Sequence, residues 1–357
     1  MIRRLLATGG AAALSVLTLR AVARRGALRL LAPAPVGPGE VALRPALDAL
    51  GGEVVRLRAR DGVRLAGRWL PPQGADATWR ADPHDAIVLL HGYSGSITPD
   101  LVEYGPFLRA TAGVLGLDFR GHGESDPGPS TFGALEVEDV AGALAWLGAR
   151  GVTRVALVGT SMGAIAAIAS VAVLGDGSLA AADAVDDRTE APLEAARPAI
   201  VAVVADSAAA EVEIPVASRL PGVGRRFVAG RLFDAAARIV GIDPRATEPI
   251  RVIDLVDPVP LLLIHGEDDD TVPLSDARRL VAAAGAQVDH WFVPGAGHSG
   301  AHAVVGQDYE RRVTDFLQVA FRRARGEDVG APGAGPIIAR RGQADTGPAT
   351  REALLED

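Results

Sequence analysis

A serine sits in Gly159-Thr160-Ser161-Met162-Gly163, directly after the apolar run Val155-Ala156-Leu157-Val158. The residues that follow, Met162 to Leu174, are rich in Ala and Ile. That order predicts a buried strand, a tight turn and a helix, with the serine hydroxyl raised at the turn. Small residues must flank the serine so that strand and helix can approach. The N-terminus of the helix then lies beneath it, and its free N–H groups favour developing negative charge. The chemistry to expect of Ser161 is nucleophilic attack on an electrophilic carbon.

A serine hydroxyl at its ordinary pKa is a poor nucleophile and needs a base. Lys and Cys are absent from the chain, so a Ser-Lys dyad, a Schiff base and a thiol nucleophile are excluded and histidine remains. Of seven histidines, His298 stands in Gly295-Ala296-Gly297-His298, a loop after the last apolar run, from which a base can reach across the sheet edge. His302 is the fallback. His84 and His290 read as structural, and His91, His122 and His265 each lie at the end of a buried run. An orienting carboxylate should lie between Ser161 and His298 in chain order. Glu267, Asp268, Asp269 and Asp270 all follow the run Leu261 to Ile264, and Asp206 follows Ile200 to Val204.

These groups need a scaffold. Val54 to Arg58 and Val63 to Trp69 alternate on either side of Asp61-Gly62, which predicts a β-hairpin. Buried strands follow at Ala86 to Leu90, Gly113 to Phe119, Val155 to Val158, Ile200 to Val204, Pro260 to Ile264 and Val288 to Val293, with helical spacing over 134–149 and Met162 to Leu174. Alternating strands and helices predict an α/β class with a mostly parallel sheet covered on both faces. Residues 175–198 read as an acidic surface insertion. Residues 207–256 are long for a crossover and carry Phe227, Leu232, Phe233 and Ile239, which predicts a small helical cap.

The ends differ from this body. Arg3 and Arg4 precede an apolar run from Leu5 to Leu19, too short to span a bilayer at ~20 residues. Residues 1–31 therefore read as a signal peptide or an uncleaved membrane anchor, with an amphipathic helix carrying Arg20, Arg24, Arg25 and Arg29 as the alternative. The expected location is membrane-associated or secreted, with cytoplasmic as the other reading. Residues 32–52 read as a linker, 53–322 as the domain, and 323–357 as a disordered tail rich in Gly, Pro and charge.

With these motifs in hand, the chain resembles the α/β-hydrolase family. His265-Gly266-Glu267-Asp268-Asp269-Asp270-Thr271-Val272-Pro273 is similar to that family's H-G-x-x-D-x-x-V-P segment. The resemblance implies Asp269 as the acid that fixes the tautomer of His298, with Asp206 as the rival one strand earlier. Leu89-Leu90-His91-Gly92-Tyr93 resembles the family's H-G-x loop, which implies the backbone N–H of Tyr93 as one oxyanion donor and that of Met162 as the other. Asp118-Phe119-Arg120-Gly121-His122-Gly123-Glu124-Ser125 matches a further segment of the family, read as architectural. Within the family, the hairpin, small cap and short connections look most like the acylaminoacyl-peptidase-like and lysophospholipase-like branch.

The formal charge of −8, from 36 basic against 44 acidic residues, argues against nucleic acid as a partner. No cofactor or metal is expected. The consecutive acids at 267–270 do not converge like a ligand set. The expected activity is cleavage of a carboxylic ester, thioester or amide through an acyl-serine, on a small-molecule or lipid-like acyl substrate. Cofactor-free perhydrolase or lyase chemistry on the same residues is one alternative. A binding protein without catalysis on the same fold is another.

Overall fold

The computed structural model describes residues 20–73, 79–93, 95–175, 197–284 and 288–329. The expected insertion lies almost wholly outside them, as do residues 1–19 and the chain beyond 329. Eight strands form one sheet: β1 (Glu53–Arg58), β2 (Arg64–Leu70), β3 (Asp85–Leu90), β4 (Gly113–Leu117), β5 (Arg154–Thr160), β6 (Ala199–Asp206), β7 (Leu261–Gly266) and β8 (Val288–Val293). Their order is β1-β2-β4-β3-β5-β6-β7-β8. The first two pairings, β1 with β2 and β2 with β4, are antiparallel, and the others are parallel. The hairpin closes over Arg60-Asp61-Gly62, where the Ala59 N–H donates to the Val63 carbonyl at 2.8 Å.

The period of two along a strand sends alternate residues to opposite faces. Ala86, Val88 and Leu90 of β3 join the core beneath the helices Glu136–Gly148 and Met162–Leu174, as do Val155 and Leu157 of β5. Ile87, Leu89, Ala156 and Val158 join the opposite core with the helices Thr98–Leu108 and Gln307–Ala324. Both faces are therefore covered, which is why β3 is buried at every position. The α/β-hydrolase fold expected from the sequence is the fold observed.

Between β6 and β7 lie the helices Glu213–Ser218, Arg225–Val240 and Pro249–Val252. Residues 20–30 are helical and dock on Arg225–Val240, burying Ala27 and Leu31 against Ala235 and Ala236. The stretch read as a linker holds two short helices, Pro38–Ala42 and Arg44–Ala49. Among the described residues no helix is long and apolar enough to cross a membrane.

Candidate active site

Ser161 lies between β5 and its helix with φ 49° and ψ −109°. A non-glycine residue held there costs of order 1–3 kcal/mol, so its surroundings must enforce the conformation. They do so through two backbone bonds. The Ser161 N–H donates to the Asp206 carbonyl at 2.8 Å, and the Ile165 N–H donates to the Ser161 carbonyl at 3.1 Å. The flanking glycines are required by close approach. A Cβ on Gly159 would lie 2.4 Å from the Gly163 backbone, and one on Gly163 would lie 2.1 Å from the Leu90 carbonyl oxygen.

His298 reaches this hydroxyl from the loop after β8. Its Nε2 is 2.8 Å from Ser161 Oγ and its Nδ1 is 2.7 Å from Asp269 Oδ2. Asp269 is buried in the turn after β7, and its Oδ1 accepts the N–H groups of Thr271 at 2.9 Å and Val272 at 2.8 Å. Burial pushes this carboxyl up, but the bonds from His298 and the Val272 N–H, with the nearby histidines, outweigh it and hold the pKa below its ordinary value. The two loops are tied together, because the Glu267 and Asp268 N–H groups donate to the Val293 and Ala296 carbonyls, each at 3.0 Å.

Asp206, the rival acid, does not bond His298. Its Oδ1 accepts the Ser207 hydroxyl at 2.9 Å and its Oδ2 the Tyr309 hydroxyl at 3.0 Å. Burial pushes its pKa up to about 6, against those two hydroxyls. Ser207 Oγ also accepts the Ser299 N–H at 2.9 Å, so Asp206 braces the backbone next to His298. His302 is turned away, with Glu103 2.8 Å from Nδ1 and Glu310 3.1 Å from Nε2.

The loop after β3 abuts the serine: a Cβ on Gly92 would lie 3.4 Å from Ser161 Cβ. Tyr93 follows Gly92, and Met162 begins the helix, where first-turn N–H groups have no intrahelical acceptor. The aromatic rings beside them form a row. Tyr93 stacks on Phe132 at 5.7 Å, and Phe132 meets Phe233 of the helix Arg225–Val240 at 5.8 Å. The D-x-R-G segment braces this loop from below. Asp118 Oδ1 accepts the Ile97 N–H at 2.7 Å, and Arg120 is paired with Asp139 at 2.7 Å and Asp61 at 2.7 Å.

One contributor carried no sequence signal. Glu40, in the stretch read as a linker, accepts the Gly95 N–H at 2.9 Å and the Ser96 hydroxyl at 2.7 Å. The Tyr93 hydroxyl donates to the Ala32 carbonyl. The segment ahead of the hairpin thus holds the loop that faces Ser161. Among the described residues no group of acids and histidines is arranged to hold a metal.

The sequence profile of the Alpha/beta hydrolase family matches residues 87–313. The uncharacterized protein YfhR of Escherichia coli K12 is 27% identical over 281 residues, covering 77% of this chain and 83% of that protein. YfhR of Salmonella typhi is 26% identical over 284 residues, covering 75% and 82%. Among solved structures, the Pyrococcus furiosus esterase Pf2001 aligns with a TM-score of 0.54 at 22% identity, over 80% of this chain and 98% of that one. The esterase RhEst1 from Rhodococcus aligns with a TM-score of 0.50 at 20% identity, over 75% and 99%.

Proposed function

Since the chain belongs to the alpha/beta hydrolase family, we propose that it is a serine hydrolase that cleaves carboxylic esters through an acyl-serine intermediate. The observation that carries this reading is the relay from Ser161 Oγ to His298 Nε2 at 2.8 Å and from His298 Nδ1 to Asp269 Oδ2 at 2.7 Å. Ser161 attacks the carbonyl carbon while His298 takes its proton. Asp269 keeps the proton on Nδ1 and stabilises the imidazolium that forms. The N–H groups of Tyr93 and Met162 receive the oxyanion, and losing one such donor costs ~2.7–4 kcal/mol of transition-state binding. Collapse expels the alcohol, which takes the proton from His298. A water molecule, deprotonated by the same ring, then releases the acid.

Met162, Phe132 and Phe233 share one buried cluster beside the serine. That favours a hydrocarbon acyl chain over a charged one. Two structural neighbours are named as esterases, which agrees with this bond type. The hairpin and short cap keep the acylaminoacyl-peptidase-like and lysophospholipase-like branch as our finer assignment.

A panel of p-nitrophenyl esters of increasing chain length tests the proposal. The parent should turn them over with a preference for apolar acyl groups and should be labelled by a fluorophosphonate. Ser161→Ala should lose both. Equal rates in parent and variant would overturn the assignment.

A further inference from the structure

The outer face of the cap is apolar and basic at once. Helix Arg225–Val240 turns Phe233 inward, yet leaves Phe227 74% exposed, with Val228 and Ile239 also exposed. The loop before it, Leu220-Pro221-Gly222-Val223-Gly224, contains no charge, and Val223 at its tip is fully exposed. The helix over residues 20–30 packs on the same cap helix and exposes Val22 and Leu28. Together the two helices carry eight arginines against one acid, Asp234, in a chain whose net charge is −8. Arg20, Arg24, Arg25, Arg29, Arg225 and Arg238 are all exposed and have no ion-pair partner among the described residues. The apolar run Leu5 to Leu19, with no acid around it, leads directly into the first of these helices.

We propose that this face docks on an anionic lipid bilayer, with Val223 and Phe227 entering the interface and the arginines resting on the headgroups. Single apolar side chains set among arginines suit the boundary between headgroup and acyl chain. They suit a second copy of this chain poorly. A two-fold contact would bring eight further arginines and only one further acid to the same seam. The cap links the face to the site, because Phe233 on the same helix meets Phe132, which stacks on Tyr93. An acyl chain drawn from the bilayer is then the substrate class. That last step rests on the acyl-hydrolase reading, and the docking itself does not.

The chain contains no cysteine, so single cysteines at Val223→Cys, Phe227→Cys and Asp289→Cys can each carry an environment-sensitive nitrobenzoxadiazole label on the full-length protein. Asp289 is exposed at the start of β8, the end of the sheet away from Ser161. With phosphatidylcholine–phosphatidylglycerol vesicles, the labels at 223 and 227 should brighten severalfold and shift to the blue. The label at 289 should not change, and pure phosphatidylcholine should produce little response. Arg24→Glu with Arg25→Glu should weaken vesicle binding about tenfold or more while leaving the rate on soluble p-nitrophenyl acetate unchanged. Two results would overturn the proposal. One is vesicle binding with silent labels at 223 and 227, which would assign membrane contact to residues 1–19 alone. The other is a label response that grows with protein concentration without vesicles, which would assign the face to a second copy. Either is readable whether or not the protein hydrolyses esters.

Discussion

The His91 ring pins the carbonyl of Gly92, with Nδ1 2.6 Å from that oxygen. Nε2 accepts the Phe119 N–H at 3.2 Å, so the ring proton sits on Nδ1 and is donated to Gly92. Burial, reinforced by neighbouring His122, lowers the His91 pKa to about 3, so the ring is neutral wherever the protein would work. In a trans peptide the carbonyl and the following N–H point in opposite directions. Fixing the Gly92 oxygen therefore aims the Tyr93 N–H, the proposed oxyanion donor.

His91→Ala should thus lower kcat on p-nitrophenyl butyrate by about 10–100-fold, less than the full loss of a donor, with KM nearly unchanged. It should also lower Tm, because an unpaired buried Phe119 N–H costs about 1–3 kcal/mol. A lowered Tm with an unaltered kcat would reduce the ring to a packing role.

The two acids near His298 separate cleanly by substitution. In Asp269→Asn the amide donates toward Nδ1 and favours the wrong tautomer, so kcat should fall by about 10³–10⁴. In Asp206→Asn the retained oxygen can still accept from Ser207, and the Tyr309 hydroxyl can accept from the amide. The loss there should stay below about tenfold. Measured kcat/KM values in the reverse order would move the orienting role to Asp206.

The contrast between these acids shows what the sequence could convey. The pairing of Ser161 with His298 was legible because each follows an apolar run in a turn of small residues, and a serine meant as a nucleophile would need a base. Asp269 was legible only through a resemblance, since spacing alone could not choose among the acids at 267–270 or reject Asp206. Glu40 was not legible at all. A lone glutamate in a Pro- and Gly-rich stretch has no period, and its partners, Gly95 and Ser96, are 55 and 56 residues away. The same holds for residues 20–30, whose pattern announces an apolar stripe without saying that Ala235 and Ala236 receive it.

Glu40 gives the third prediction. With one carboxylate it holds the Gly95 N–H and the Ser96 hydroxyl, two and three residues beyond Tyr93. Glu40→Ala frees that side of the loop and should lower kcat about tenfold, at a cost of ~1 kcal/mol for each bond lost. Glu40→Gln keeps one oxygen acceptor and should restore most of the rate. If both variants fall equally, Glu40 does not act through these two bonds.

Asp100 gives the fourth prediction, through pH. It is buried in the helix Thr98–Leu108, and its Oδ1 accepts the Thr160 hydroxyl at 2.8 Å, one residue before Ser161. Burial pushes its pKa up to about 7, assisted by the charges of Glu103 and Glu40 and opposed by the Thr160 bond. The folded value is raised above the unfolded one, so folding favours the protonated form. The contribution is whole below the unfolded value of ~3.9 and is lost as pH rises through about 7, each unit between costing about 1.4 kcal/mol. Asp100→Asn keeps the acceptor and cannot ionise. Its Tm should match that of the parent near about pH 4 and exceed it by a margin that grows up to about pH 8, then levels off. Thermal melts of both proteins across that range check the expectation, and a margin independent of pH would mean that Asp100 does not titrate in the folded chain.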